Sequence, residues 1–393
     1  MISIKEAINA VEKNIDPLFR ETVKPLERCG SYYLSKDIIS PINMPPFRQS
    51  AMDGYALSLH NDLSYTLIDE VKAGDNHQPI LKPGEAIRIF TGAPVPETAN
   101  AVIMQEKVVV NGSKITMESN IPKDHNIRPM GEQVKIGELA LKKGTKLTPA
   151  AIGYLTSLGI TEAHIYKKPS IALITTGNEL IEAGMPLPYG KIYESNSKML
   201  LNALYNLKFY DVTIHKIEDD YAQTKNKLET VIKDNDLVIA TGGISVGDYD
   251  FVGKALKELQ VKEVFYKVKQ KPGKPLFFAK KEDTAIFALP GNPAAALSCF
   301  YVYVYIALQK MMDNDTIELP RIKAKSISVF EKRGDRPQFL KAIYNDGEVE
   351  ILEGQNSSML QTFALSNALV HVPENVSKIE KNDLVEIILL PNT

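Results

Sequence analysis

The chain has 393 residues, 44% of them hydrophobic and 24% charged, with a net charge of −2. This is more chain than one core needs, so several domains are expected, and the composition is that of a globular protein. The near-neutral charge argues against nucleic-acid binding through bulk charge. Two cysteines, Cys29 and Cys299, are too few for a disulfide framework or a cysteine zinc site.

The N-terminus, Ile2-Ser3-Ile4-Lys5-Glu6-Ala7, lacks the basic and apolar regions of a signal peptide. The longest apolar window, around residues 300–308, is too short for a membrane span. A cytoplasmic protein with no membrane partner is expected. Residues 2–15 place Ile4, Ala7, Ile8, Val11 and Ile15 on one face and predict an amphipathic helix. Pro41 to Phe47 predicts an extended connector. From there to about residue 139, short β-like runs at 65–71, 86–90, 101–105 and 107–110 predict a small barrel or sandwich. A helix at 147–158, with Pro149 in its first turn, and a strand at 161–166 resume the N-terminal region, so the β domain reads as inserted.

From Pro169 the texture is strand–helix alternation. Strands are expected at 170–175, 211–217, 237–240, 264–268 and 284–289. Helices are expected from Ser195 or Asn196, which would cap, and at 221–233, 250–259 and 292–308. This predicts a doubly wound α/β domain with a mostly parallel sheet. After Pro320 the runs at 322–329, 339–344, 349–352 and 385–390 predict a C-terminal β domain. The expected partition is therefore 1–44 with 140–168, an inserted β domain at 45–139, the α/β domain at 169–316, and 317–393.

In an open α/β sheet, ligands sit beyond the carboxyl ends of the strands. The ends here are Thr176-Gly177-Asn178-Glu179, Glu218-Asp219-Asp220, Gly242-Gly243-Ile244-Ser245-Val246-Gly247-Asp248-Tyr249-Asp250 and Pro290-Gly291-Asn292-Pro293. Beside them lie Lys267, Lys269, Lys271 and Lys274. Taken singly, the strand ends read more readily as tight turns or helix caps, and the lysine run reads as well as a solvated edge. Together they predict an anion site: glycine N–H groups and lysines around phosphate, with Glu179, Asp219 and Asp250 as oxygen ligands for a divalent cation. Neither a Walker A pattern nor Gly-x-Gly-x-x-Gly is present, which argues against a P-loop NTPase or a dinucleotide dehydrogenase. Outside this domain, Ser50-Ala51-Met52-Asp53-Gly54-Tyr55 and Thr91-Gly92-Ala93-Pro94-Val95-Pro96 read as a hairpin turn and a proline-rigid loop.

These words, with Asn126-Ile127-Arg128, Lys271-Pro272-Gly273-Lys274-Pro275 and Leu289-Pro290-Gly291-Asn292-Pro293-Ala294, run in an order that resembles the MoeA family, also found as the gephyrin E domain. The resemblance implies an elongated homodimer of four-domain chains. In it, one subunit's α/β domain faces the other's inserted β domain. It implies a molybdopterin molybdotransferase acting on adenylylated molybdopterin and molybdate with Mg²⁺, releasing AMP, and an adenylyltransferase as a further partner. Carried over by position, it implies Asp53, Thr91, Asp219, Asp250, Lys267 and Lys271 as catalytic. Gly242, Gly243, Ser245, Gly247, Asn196, Lys274, Pro290, Pro293 and Ser357 would bind substrate, and Glu179, Asp219 and Asp250 would hold the metal. Arg336 is a further candidate. Gln133 and Asn178 stand where the family commonly has acids. Two other readings remain open at this level. One is a scaffold dimer of gephyrin type, the other a nucleotide-binding or pyrophosphatase relative. Tungstate in place of molybdate is also left open, since both are tetrahedral dianions.

Overall fold

Six strands form the central sheet, in the order Val212–Ile217, Ile171–Thr176, Leu237–Thr241, Thr284–Leu289, Phe277–Lys281, Lys262–Tyr266. The first four are mutually parallel, and the last two turn back antiparallel. Ile171–Thr176, Leu237–Thr241 and Thr284–Leu289 are buried throughout, as strands covered on both faces must be. Ala172, Ile174, Val238 and Ala240 join one core with Leu228, Val231, Val252 and Leu256 of the helices Tyr221–Asp234 and Phe251–Glu258. The helix Asn196–Asn206 packs on the Ile171–Thr176 strand and against the helix that begins at Pro293. The computed structural model describes residues 1–217, 220–243 and 251–391.

Two compact units make up the chain: residues 1–20 with 167–393, and residues 21–166. In the first, a separate closed five-stranded barrel follows the sheet, Arg321–Ser326, Glu348–Ile351, Gln338–Asn345, Ala368–Val372 and Leu384–Leu389, around its own apolar core. The helix Ile4–Asn14 carries a capping box between Ser3 and Glu6. It buries Ile4, Ala7, Ile8 and Val11 and packs on the helix Tyr305–Met311. That departs from the expected grouping of residues 1–44 with 140–168, because the apolar stripe of this helix finds its partner in the α/β unit.

The second unit holds a six-stranded sheet ordered Ala101–Met104, Gly54–Leu57, Glu85–Ile89, Ser64–Val71, Lys114–Met117, Val108–Asn111. Its central strands alternate between two cores: Ala56, Ile87, Ile89 and Val102 on one face, Tyr55, Leu57, Ala86 and Ile103 on the other. The expected barrel or sandwich is therefore one open sheet whose central strands are buried on both faces. Around Leu26, Leu34, Leu147, Leu155 and Ile165 a smaller core joins the helix Pro149–Ser157 to the antiparallel pair Glu21–Pro25 and Glu162–Tyr166.

Three elements differ from the sequence reading. The strand Phe277–Lys281 was not anticipated. Its turn into Thr284–Leu289 uses Glu282 at φ +52° rather than the Gly or Asn that signals a hairpin. The strand expected at 264–268 stops at Tyr266 because Lys267 takes φ +67°. The last core helix runs from Pro293 to Met311, long and apolar enough to cross a membrane, but 83% of its apolar window is buried inside the unit. It reads as a core helix.

Candidate functional site

Because the four parallel strands share a direction, their carboxyl ends lie on one edge. The backbone brings these ends into contact. A Cβ on Gly242 would fall 2.8 Å from the carbonyl of Thr176, and one on Gly243 would fall 3.0 Å from the Thr176 hydroxyl. Both glycines have positive φ, so this close approach is open to Gly and closed to other residues. On Gly291 a Cβ would sit 3.8 Å from the Cα of Gly242. The Leu237–Thr241 and Thr284–Leu289 strand ends thus meet beside Thr176.

Asn196 reaches the same place. Ser195 is the N-cap residue of its helix but makes no side-chain cap bond. Glu194 does that work, accepting from the N–H and hydroxyl of Ser197. The Asn196 amide is left to donate to the Gly291 carbonyl at 2.8 Å. Its Oδ1 and the hydroxyl of Thr176 are buried with no partner among the described residues. Buried polar atoms without partners are rare, and at a strand-end rim they are what a bound polar ligand would satisfy.

Pro290 is buried, and Pro293 opens the core helix at its first turn, where its missing N–H costs nothing. Asn292 donates to the hydroxyl of Ser357 at 2.9 Å, and the Ser357 carbonyl accepts from the Ala295 N–H at 3.3 Å. This ties the barrel to the helix N-terminus and brings Ser357 to the rim. Its loop is held from beneath by Lys341, whose ammonium is buried and donates to the carbonyls of Gly354, Asn356 and Met359 at 2.7, 3.2 and 3.0 Å.

The lysines lie in a loop rather than on a strand. Lys267 is half-buried, with its ammonium over the Tyr266 ring at 4.6 Å and its carbonyl accepting from the Ile2 N–H at 3.1 Å. Lys269 is paired with Glu374 and Asp335 and so is not free for an anion. Lys271 and Lys274 are exposed. Arg336 donates to the Gln270 carbonyl at 3.1 Å, so it touches the loop backbone. Glu179 is exposed just beyond the Ile171–Thr176 strand, and its carboxylate lies back over Gly177. Asp219, Ser245, Gly247 and Asp250 lie outside the described residues. Among the described residues, no three His, Cys, Asp or Glu side chains are grouped to hold a metal ion.

Asp53 and Thr91, far apart in sequence, meet in the second unit. One carboxylate oxygen of Asp53 accepts from the Thr91 N–H at 2.7 Å and from its hydroxyl at 2.8 Å. These two bonds, with the Arg88 guanidinium nearby, hold the Asp53 carboxyl below the usual carboxylate range. The pairing follows from strand order: Gly54–Leu57 lies beside Glu85–Ile89, so Asp53 and Thr91 flank adjacent strand ends. Sequence reasoning named Thr176 and Asn292 only inside the strand-end words and gave no role to Lys341, Gln270 or Tyr303.

A doubly wound sheet with glycine-lined ends on its parallel strands defines an α/β domain whose ligand rim lies at those strand ends. Residues 172–310 match the family model of a probable molybdopterin binding domain. Residues 2–159 match that of the MoeA N-terminal region (domain I and II), and residues 323–390 that of the MoeA C-terminal region (domain IV). A molybdopterin molybdenumtransferase of Haemophilus influenzae is 34% identical over 92% of both chains. One of Staphylococcus epidermidis is 31% identical over 99% of this chain and 95% of its own. The crystal structure of a molybdopterin biosynthesis moeA protein from Pyrococcus horikoshii OT3 superposes with a TM-score of 0.82 at 30% identity, covering 99% of this chain and 100% of that one. The chain belongs to the MoeA family of molybdopterin molybdenumtransferases.

Proposed function

We propose that this chain transfers molybdenum from molybdate to adenylylated molybdopterin, releasing AMP, in molybdenum cofactor biosynthesis in the cytoplasm. The observation that carries the reading is the pair of buried oxygens of Thr176 and Asn196, without partners among the described residues and set among Gly242, Gly243 and Gly291. Glycine N–H groups receive phosphate oxygens there, and the Asn196 and Thr176 oxygens orient the substrate. Lys267, Lys271 and Lys274 neutralise the charge that develops on the phosphoanhydride and on molybdate. Ser357, held by Asn292 and by the loop on Lys341, adds a hydroxyl to the same rim.

Glu179, Asp219 and Asp250 would hold Mg²⁺. An all-carboxylate donor set suits a hard cation, which supplies charge neutralisation at phosphate oxygens. Asp53 and Thr91 are built in the other unit, and a homodimer in which one chain's inserted β domain faces the other's rim brings them to the reaction. The four-part domain layout is part of the same proposal, except that residues 1–20 go with the α/β unit. An adenylyltransferase supplies the substrate.

The test is AMP release from adenylylated molybdopterin, with molybdate and tungstate compared and Mg²⁺ varied. Molybdate-dependent, Mg²⁺-dependent release is expected, and Lys271→Ala should lower it at least ~100-fold. A Lys271→Ala protein with the unaltered rate would overturn the rim assignment.

A further inference from the structure

We propose that Tyr303 and Gln270 are positioning residues for the lysine loop, translating a break in the core helix into the placement of Lys271 and Lys274. The proposal rests on the reading of the rim given above and deepens it.

The core helix changes winding at Phe300–Val304, where it becomes a π-helix and the Tyr305 N–H bonds the Phe300 carbonyl. Such turns are uncommon and recur at functional sites. Phe300-Tyr301-Val302-Tyr303-Val304 has no Gly or Pro to impose the break. Its structural correlate is on the inner side. Tyr303, fully buried, donates its hydroxyl to Oε1 of Gln270.

Gln270 is itself buried, at 1% exposure, and every polar atom of it is used. Nε2 donates to the Gly273 carbonyl at 3.2 Å and lies 3.5 Å from the Cys299 sulfur. Its N–H donates to the Val268 carbonyl at 2.9 Å, and its carbonyl accepts from Arg336. Gly273 has φ +85°, and a Cβ there would fall 2.4 Å from Cys299 Sγ and 2.8 Å from Gln270 Nε2. The turn from 270 to 273 is therefore closed over one amide side chain. The next residue is fixed as well: the Lys271 N–H donates to the Pro337 carbonyl at 2.9 Å, and its carbonyl accepts from the Phe339 N–H at 2.8 Å.

The result is a rigid backbone bearing exposed ammonium groups. Two long cations placed on a mobile loop would lose orientation as the reaction begins, and small misplacements are costly in rate. Burial keeps the supporting groups neutral: the Cys299 thiol is pushed up to about 12 and the Tyr303 phenol well above its ordinary value. The support therefore stays uncharged at neutral pH.

Tyr303→Phe, Gln270→Met and the double variant of the full chain test this, read by amide exchange at residues 268–276 and by AMP release. Each single variant is expected to speed exchange at 268–276 by roughly 10-fold, while exchange in the C-terminal barrel stays constant. We expect kcat to fall roughly 10- to 100-fold with KM little changed. The double variant should lose no more than Gln270→Met alone, because the pair acts as a unit. Unchanged exchange at 268–276 in folded Tyr303→Phe would overturn the proposal. So would additive losses, or exchange rising equally throughout the unit. If Gln270→Met does not fold, Tyr303→Phe decides alone. A native chain that releases no AMP sinks the functional reading, while the exchange data still decide whether the pair positions the loop.

Discussion

Asp53 shows how much a single neighbour can set. Its carboxylate is exposed, yet the N–H and hydroxyl of Thr91 converge on one oxygen. The folded-state pKa is depressed, so the stabilisation it brings is present above the ordinary carboxylate value and is lost as pH falls through the depressed one. Thr91→Val removes the hydroxyl and keeps the N–H. Carbon NMR of the Asp53 carboxyl should then show its pKa moving up, without reaching the value of a free aspartate. Lys341 is the buried counterpart. Burial lowers its pKa to about 8, against roughly 10.4 for an unfolded lysine. Between those values the unfolded chain binds more protons, so stability rises with pH there. Lys341→Met should abolish that rise and remove three hydrogen bonds, at a cost of roughly 1–3 kcal/mol in urea unfolding. Neither Thr91 as partner of Asp53 nor Lys341 as a clamp was legible from local sequence.

At the level of elements, the strand ends at Gly177, Gly242 and Pro290 were legible because each couples an apolar run to a glycine or proline turn, and both signals are local. What holds those strands at their other ends was not. Asp236, at the start of the Leu237–Thr241 strand, accepts from the N–H and hydroxyl of Ser170 at 2.8 and 2.9 Å and from Arg20. This acid adds to the backbone bonds by which the Asp236 and Leu237 N–H groups hold the Ser170 carbonyl, and together they align the starts of two neighbouring strands. Asp236→Ala should cost about 2 kcal/mol in thermal or urea unfolding, because the Ser170 donors lose a charged acceptor. The π-turn and the strand Phe277–Lys281 escaped the sequence reading for the same reason. The first coincides with a bond from Tyr303 to a glutamine 33 residues away, and the second turns through Glu282, which carries no turn signature.

For the whole molecule, the testable consequence is shared chemistry between two copies. Under the proposed homodimer, Asp53 of one chain serves the lysines of the other. Asp53→Ala and Lys271→Ala proteins, each inactive alone, should regain about a quarter of native AMP release when co-expressed. That is the value for random pairing with one intact site in each mixed dimer. No recovery in a preparation shown to contain mixed dimers would place both residues in one chain's site.

The opposite dependencies of the two kinds of residue explain what was decided where. Periodicity, Gly–Pro punctuation and the ordered motif words determined the α/β architecture, the rim and the family, because each is written in contiguous residues. Only the tertiary structure decided that Asn196 is released from capping, that Ser357 meets Asn292, and that Tyr303 reaches Gln270. Those outcomes depend on which distant donors and acceptors packing brings within three ångströms or so of one another, and side-chain pairing across such separations leaves no pattern along the chain.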